Sequence, residues 1–496
     1  MSKHRTAFCG RTNRRQHLVD LGMGFGGLAL GALLNQSGWA SVRQEMGDLT
    51  LPLPVTHSRA RAKNVIWIFL SGGVSHLETF DPKPLLNQFA GKTFEETGLP
   101  NPQKLPIYRE RSRSVVGMDR EVVSTIMPLQ VGFKQYGENG TWVSDWLPNL
   151  AQVVDDLCIV RSMYTTDNDH NAEFQFQNGR HSLDEQQPCI GSWISYGLGS
   201  LNENLPQFVF LGKYSDNRVK RNFDANYLGP QHAGVELSLD PANPLPFGRR
   251  ASDMLAAEQQ AQFELIHRWN QLSAFEHPDD AQLQARIRAY ELAYRMQMSA
   301  PEVLGLADET QETLALYGMD DPATELYGRR LLTARRLAER GVRYTLVYLS
   351  DYGEWDSHSN IKDLHAKCCG RVDKPLAGLI RDLKQRGMLD ETLVVCATEF
   401  GRTPALEKTT LNQLGTGRDH HPHGFTIWLA GGGVKPGYVH GATDELGFHA
   451  IENPHYVTDI HATTLHLLGQ DPTQLNIPGR KRLEIDYGHV IHDIIS

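Results

Sequence analysis

The stretch NVIWIFLSGG (residues 64–73) runs six apolar positions together, Val65 to Leu70, before Ser71 and a glycine pair. Unbroken apolar character without alternation marks a strand covered on both faces. That is a central parallel strand rather than an exposed antiparallel one, and the glycines close it with a turn. Comparable runs are LCIVRSM (157–163), QFVFLG (207–212), YTLVYLS (344–350), TLVVCATEF (392–400) and FTIWLAGGG (425–433). Helix-like segments stand between several of them: LYGRRLLTARRLAERG (326–341), CCGRVDKPLAGLIRDLKQRGML (368–389) and YVTDIHATTLHLLG (456–469). Strand and helix in alternation predict an α/β fold, an open, mostly parallel central sheet with helices on both faces. Two stretches break the rhythm. Residues 91–145 read as an excursion over the sheet, and 215–330 as a helical insertion containing ASDMLAAEQQAQFELIHRW (251–269) and AQLQARIRAYELAYRMQ (281–297).

Ligands of open α/β sheets bind beyond the carboxyl ends of the strands, so the residues after each run outline the site. They include His76, Glu78 and Asp81; Thr165 to Asn171; Asp356-Ser357-His358; and Glu399, followed by Arg402, Asp419, His420, His421 and His423. Each of these four strand ends supplies a carboxylate, an imidazole or both, which is the donor set of a metal site. Plainer readings stand beside this one. Asp356-Ser357-His358 is also a turn with a helix cap, and His170-Asn171 also caps the helix that leads to Arg180. Glu399 is also an ion-pair partner for Arg402, and Asp459 an N-cap ahead of His461. A metal seldom takes three ligands from four neighbouring positions, so one or two of His420, His421 and His423 are expected outside its shell.

The first 40 residues have the form of a twin-arginine export signal. A basic start (Lys3, Arg5, Arg11, Arg14, Arg15) precedes the apolar segment LVDLGMGFGGLALGALL (18–34), and Gly38-Trp39-Ala40 offers small residues for cleavage. In Asn13-Arg14-Arg15-Gln16-His17-Leu18, His17 stands where an aromatic or apolar residue is usual. An uncleaved anchor is the alternative, although a spanning helix needs roughly 20 mostly apolar residues and this segment is Gly-rich and holds Asp20. Residues 41–496 are read as one α/β domain, located in the periplasm or outside the cell. No membrane span is expected in the mature chain.

Apolar residues make up 40% and charged residues 22%, an ordinary globular balance. A net charge of −9 without a basic run beyond the signal argues against a nucleic-acid partner. Six scattered cysteines form neither a disulfide framework nor a paired zinc pattern. A Ser-His-Asp esterase built on Ser71 lacks the Gly-x-Ser-x-Gly elbow.

Five segments carry a family resemblance: NRRQHLVDLGMGFGGLALGALL, NVIWIFLSGGVSHLETFDPKP, WDSHSN, ATEFGRTP and HHPHGFTIWLAGGGVKPGYVHGATDE. On them the chain resembles the domain of unknown function 1501 family, a sulfatase-like branch of the alkaline phosphatase superfamily. The resemblance implies that superfamily's α/β fold and a metal-dependent hydrolase of phosphate, sulfate or related esters. One or two divalent cations (zinc, manganese, iron or calcium) would polarise a small-molecule or polysaccharide ester. It puts Glu399 where relatives have an aspartate, Asp356 and His358 near a paired Asp and His, and one of the 420–423 histidines near a late histidine ligand. Asp167 to Arg180 takes the place of the nucleophile loop. The metal set so implied is His76, Asp356, His358, Glu399, His421 and His423, with His170, Asn171 and Arg402 as catalytic groups. Two departures stand out. Ser71-Gly72-Gly73 occupies the place of a first-strand aspartate, and the nucleophile loop has no cysteine. These favour attack by activated water, a histidine in the nucleophile's place, or a non-catalytic relative that binds a glycan or a protein.

Overall fold

In the computed structural model, Val65 to Phe69 are at most 1% exposed, as a strand covered on both faces requires. The structure describes residues 56–113, 123–213, 220–240, 255–278, 280–407, 414–477, 479–480 and 482–496; the export signal expected over residues 1–40 lies outside them. Each apolar run becomes a strand of one nine-stranded sheet. The strands are β1 (Asn64–Phe69), β2 (Leu157–Tyr164), β3 (Phe208–Leu211), β4 (Val235–Glu236), β5 (Tyr344–Tyr348), β6 (Thr392–Ala397), β7 (Phe425–Ala430), β8 (Tyr438–His440) and β9 (His455–Tyr456). Their order is β8-β2-β7-β6-β1-β5-β3-β4, with β9 also paired to β2. β1 lies parallel to β5 and β6, with Val65 opposite Tyr344 and Leu393. β7 runs antiparallel to both of its neighbours, β2 and β6. Its first residue, Phe425, is therefore level with Met163 near the carboxyl end of β2. The histidines just before β7 reach the functional edge because that strand is reversed.

Seven helices of more than six residues are used below: α1 (Ala172–Asn178), α2 (Ile190–Leu198), α3 (Ala256–Glu276), α4 (Ala281–Leu304), α5 (Glu325–Glu339), α6 (Ile361–Gln385) and α7 (Val457–Leu467). The two-residue period of β1 divides its side chains between two cores. Ile66 and Ile68 pack with Leu331 and Leu337 of α5 and Leu376 and Leu379 of α6. Val65, Trp67 and Phe69 pack with Ile190 and Ile194 of α2 and Ile460 and Leu465 of α7. Burying each large apolar side chain contributes about 1.5–3 kcal/mol, which fixes the sheet between helix layers. α3 and α4 fall within the stretch read as a helical insertion. Cys158, Cys189, Cys368, Cys369 and Cys396 are buried and free. Among the described residues, no helix is long and apolar enough to cross a membrane.

The turn after β1 shows why glycine stands where an acidic residue was sought. Gly72 has φ +118°, and a Cβ there would lie 2.5 Å from the backbone nitrogen of Asp356. The loop that carries Asp356 rests directly on this turn. A side chain at Gly72 would push it away.

Candidate metal centre

Asp356 is the hub of the carboxyl edge. Its Oδ1 lies 2.9 Å from His358 Nε2, 3.1 Å from His420 Nε2 and 2.8 Å from Arg402 Nη2. Its Oδ2 lies 3.2 Å from His170 Nε2, and the other ring nitrogen of His170 is 3.2 Å from Glu399 Oε1. Five chain segments thus converge: the loops after β5 and β6, the segment between β2 and α1, and both strands of a small ribbon. That ribbon pairs His420 with Arg402 and His421 with Gly401, antiparallel. Successive side chains of a strand point to opposite sides. His420 turns toward Asp356, while His421 donates from Nε2 to the carbonyl of Phe448.

Glu399 is fully buried, and its charge is met by the Gly72 N–H at 2.7 Å and the Thr398 hydroxyl at 3.1 Å. Burial alone would raise the Asp356 carboxyl. Hydrogen bonds from His170 and His358, with the Arg402 charge, outweigh it and hold the group well below the usual carboxylate range. Burial likewise opposes charge on His170, but Asp356 and Glu399 prevail and push it up to about 10. Asp356 and Glu407 raise His358 to about 9. His420 goes the other way, kept toward its neutral form by burial and by the Arg402 charge.

Hydrogen-bond geometry assigns the tautomers. The Asn168 carbonyl, 2.8 Å from His420 Nδ1, only accepts, so Nδ1 carries the proton. His358 Nδ1–H donates to Glu407 at 2.5 Å, and Asp419 stands 3.8 Å from the same nitrogen. Each Nε2 then aims a lone pair at a carboxylate oxygen, which is repulsive unless a proton or cation lies between them. An imidazole whose outer nitrogen is held by a carboxylate or carbonyl is the usual way a protein presents a metal ligand. Ligand atoms of His170, Asp356 and His420 lie within 4.8 Å of one another, as do those of His358, Asp419 and His420. The donor set fits a divalent cation.

Of the nine residues singled out from sequence, five meet here: His170, Asp356, His358, Glu399 and Arg402. Four do not join Asp356. His76 is buried with Nε2 2.9 Å from the Gly447 carbonyl. His421 serves Phe448. His423 sits against Tyr108, ring centroids 4.9 Å apart, with Nε2 3.3 Å from the Ser112 hydroxyl. Asn171 is the N-cap position of α1, but its side chain makes no capping bond. His420, Asp419 and Glu407 complete the centre, and Glu407 was not anticipated. The alternation of a two-residue strand was the available signal for His420, but its register is invisible without the partner strand.

Arg402 holds the centre from behind. Its Nε donates to the Gly73 carbonyl at 2.9 Å and its Nη1 to the Arg418 carbonyl at 3.1 Å. Its Nη2 meets the carbonyls of Gly72 and Trp355 as well as Asp356. Fully buried and so engaged, the guanidinium orients Asp356 and the glycine turn instead of facing outward.

No curated protein matches the chain. Solved structures similar to it include the phosphonate monoester hydrolase SpPMH from Silicibacter pomeroyi, at 14% identity over 70% of this chain and 71% of that one, TM-score 0.33. The PsFucS1 sulfatase from Pseudoalteromonas sp. gives 11% identity over 87% and 71%, TM-score 0.34. The lipoteichoic acid synthase LtaP from Listeria monocytogenes gives 9% over 90% and 82%, TM-score 0.34. The model of the family described as Protein of unknown function (DUF1501) matches residues 62–495, and the chain belongs to that family.

Proposed function

We propose that the protein is an exported, metal-dependent hydrolase of phosphate, sulfate or related esters, of the alkaline phosphatase and sulfatase type. The observation that carries the reading is Asp356 facing three imidazoles within 3.2 Å, two of them with their outer nitrogens already engaged. His170, Asp356 and His420, with His358, Asp419 and Glu399 around them, would hold the cation. Imidazole nitrogens favour zinc or iron over calcium, which takes oxygen ligands, and the carboxylates also suit manganese. The cation supplies Lewis acidity, polarising the ester bond.

The chain's own groups do the rest. Arg402 and the Gly72 amide lock the oxygens of Asp356 and Glu399, so both carboxylates are preorganised. Glu407 and the Asn168 carbonyl fix the tautomers of His358 and His420. His358, with 32% of its side chain exposed against 6% for His420, is the imidazole an incoming ester meets first. The layout that goes with this reading is an export signal over 1–40 and one α/β domain over 41–496, with excursions at 91–145 and 215–330. Its substrate is a small-molecule or polysaccharide ester in the periplasm or outside the cell.

A second reading, a sulfatase-like pseudoenzyme that binds a glycan or a protein, draws support from Arg402, whose donors are spent on the protein itself. Elemental analysis and aryl phosphate and aryl sulfate assays of wild type and Asp356→Ala decide between the two. Bound metal and turnover in wild type, both lost in the variant, are expected. Metal without turnover on any ester would favour the pseudoenzyme, and equal metal content in both proteins would remove the site.

A further inference from the structure

α1 brings two groups to one side. His170 precedes its first turn, and Glu173 follows three residues later, which is helical spacing for a shared face. His170 meets Asp356 and Glu399, whereas Glu173 turns inward and is 2% exposed. Its carboxyl meets the Ser71 hydroxyl, the Tyr348 hydroxyl at 3.3 Å and the Asn222 amide at 3.4 Å, all of them neutral. Ser71 in turn ties three segments together. Its hydroxyl accepts from the Gly353 N–H at 2.8 Å, and its carbonyl accepts from the Trp355 N–H at 3.0 Å. The next residue, Gly72, gives its N–H to Glu399. Glu173 therefore stands behind the point where the Asp356 loop and Glu399 are held together.

We propose that Glu173 is a positioning residue, a buried acid that acts through Ser71 to set the turn whose Gly72 amide fixes Glu399 toward the cation. This rests on the metal reading of the Asp356 centre. The test compares Glu173→Gln, Glu173→Ala and Ser71→Ala in two measurements. One is Mn2+ titration followed by electron paramagnetic resonance. The other is hydrogen exchange at the Gly72 and Gly353 amides of metal-free protein. Glu173→Gln, equal in shape and able to keep the hydrogen bond from Ser71, is expected to match wild type in both. Glu173→Ala is expected to bind Mn2+ about 10–100-fold more weakly, the usual loss for an outer partner of a metal ligand, and to exchange faster at both amides. Should Glu173→Ala fail to fold, Ser71→Ala removes the same link with a smaller cavity and is read in the same way. Equal Mn2+ losses in Glu173→Gln and Glu173→Ala would make Glu173 a charged ligand and overturn the proposal. Unchanged exchange in Glu173→Ala would overturn it too. If wild type takes up no Mn2+, the metal reading fails, and amide exchange alone still decides whether Glu173 sets the turn.

Discussion

Histidines one residue apart, His420 and His421, belong to two regions with opposite electrostatics. On the Asp356 side, His170, His358 and His420 face carboxylates, and two of the three are pushed upward in pKa. On the other side, His76, His421, His423 and His449 gather around Phe448, with carbonyls and a hydroxyl for hydrogen-bond partners. Phe448 is fully buried there, its ring centroid 4.3 Å from that of His421 and 5.9 Å from that of Phe94. Burial lowers all four of these imidazoles, His423 to about 3. The same side chain faces a carboxylate in one region and is core packing in the other. A carboxylate at hydrogen-bonding distance makes the difference, not the density of histidines along the chain.

Substitutions that strike one region and spare the other test this contrast. The largest effect is expected from Asp356→Ala, which removes the shared partner of three imidazoles. Metal affinity should fall by more than the ~100-fold typical of outer partners, read by isothermal titration, and stability should fall with it because the buried Arg402 guanidinium loses its carboxylate. Phe448→Ala should lose about 3–5 kcal/mol of stability through the cavity left among aromatic rings, with metal content retained. Loss of metal in that variant would join the two regions into one site.

Acid should also act on the Phe448 side. His423 is held neutral in the folded protein but takes a proton near pH 6.5 when unfolded, so the unfolded state binds more protons between about pH 6.5 and 3. Stability conferred by the neutral form is full above that window and is lost as pH falls through it. It should drop by about 2 kcal/mol from pH 6.5 to pH 5 on this account. A thermal melt series that is flatter in His423→Phe than in wild type checks it; parallel curves would refute it. The smallest effect is expected from Glu407→Gln, which weakens the hold on the His358 Nδ1 proton. Roughly tenfold weaker metal binding with unchanged stability is the predicted outcome.

Much of this was legible in the chain. The apolar runs became strands close to their expected limits: TLVVCATEF gave β6, and FTIWLAGGG gave β7. Asp356, His358, Glu399 and His170 were placed by the rule that sites lie beyond strand ends. Less legible was the choice among His420, His421 and His423, because all three suit a ligand in composition and spacing. Arg402 was expected as a catalytic group, yet its neighbours in sequence carry no sign of the four carbonyls that surround it. Glu407 offered no local signal at all, since its partner His358 lies 49 positions away.

The sequence by itself determined the α/β layering and which strand ends bear acids and imidazoles, because runs of apolar residues and the residues that follow them are local properties. Only the tertiary structure decided which imidazole faces Asp356. That choice rests on the reversed direction of β7 and on the pairing of His420 with Arg402, and a shift of one residue would exchange the two sides.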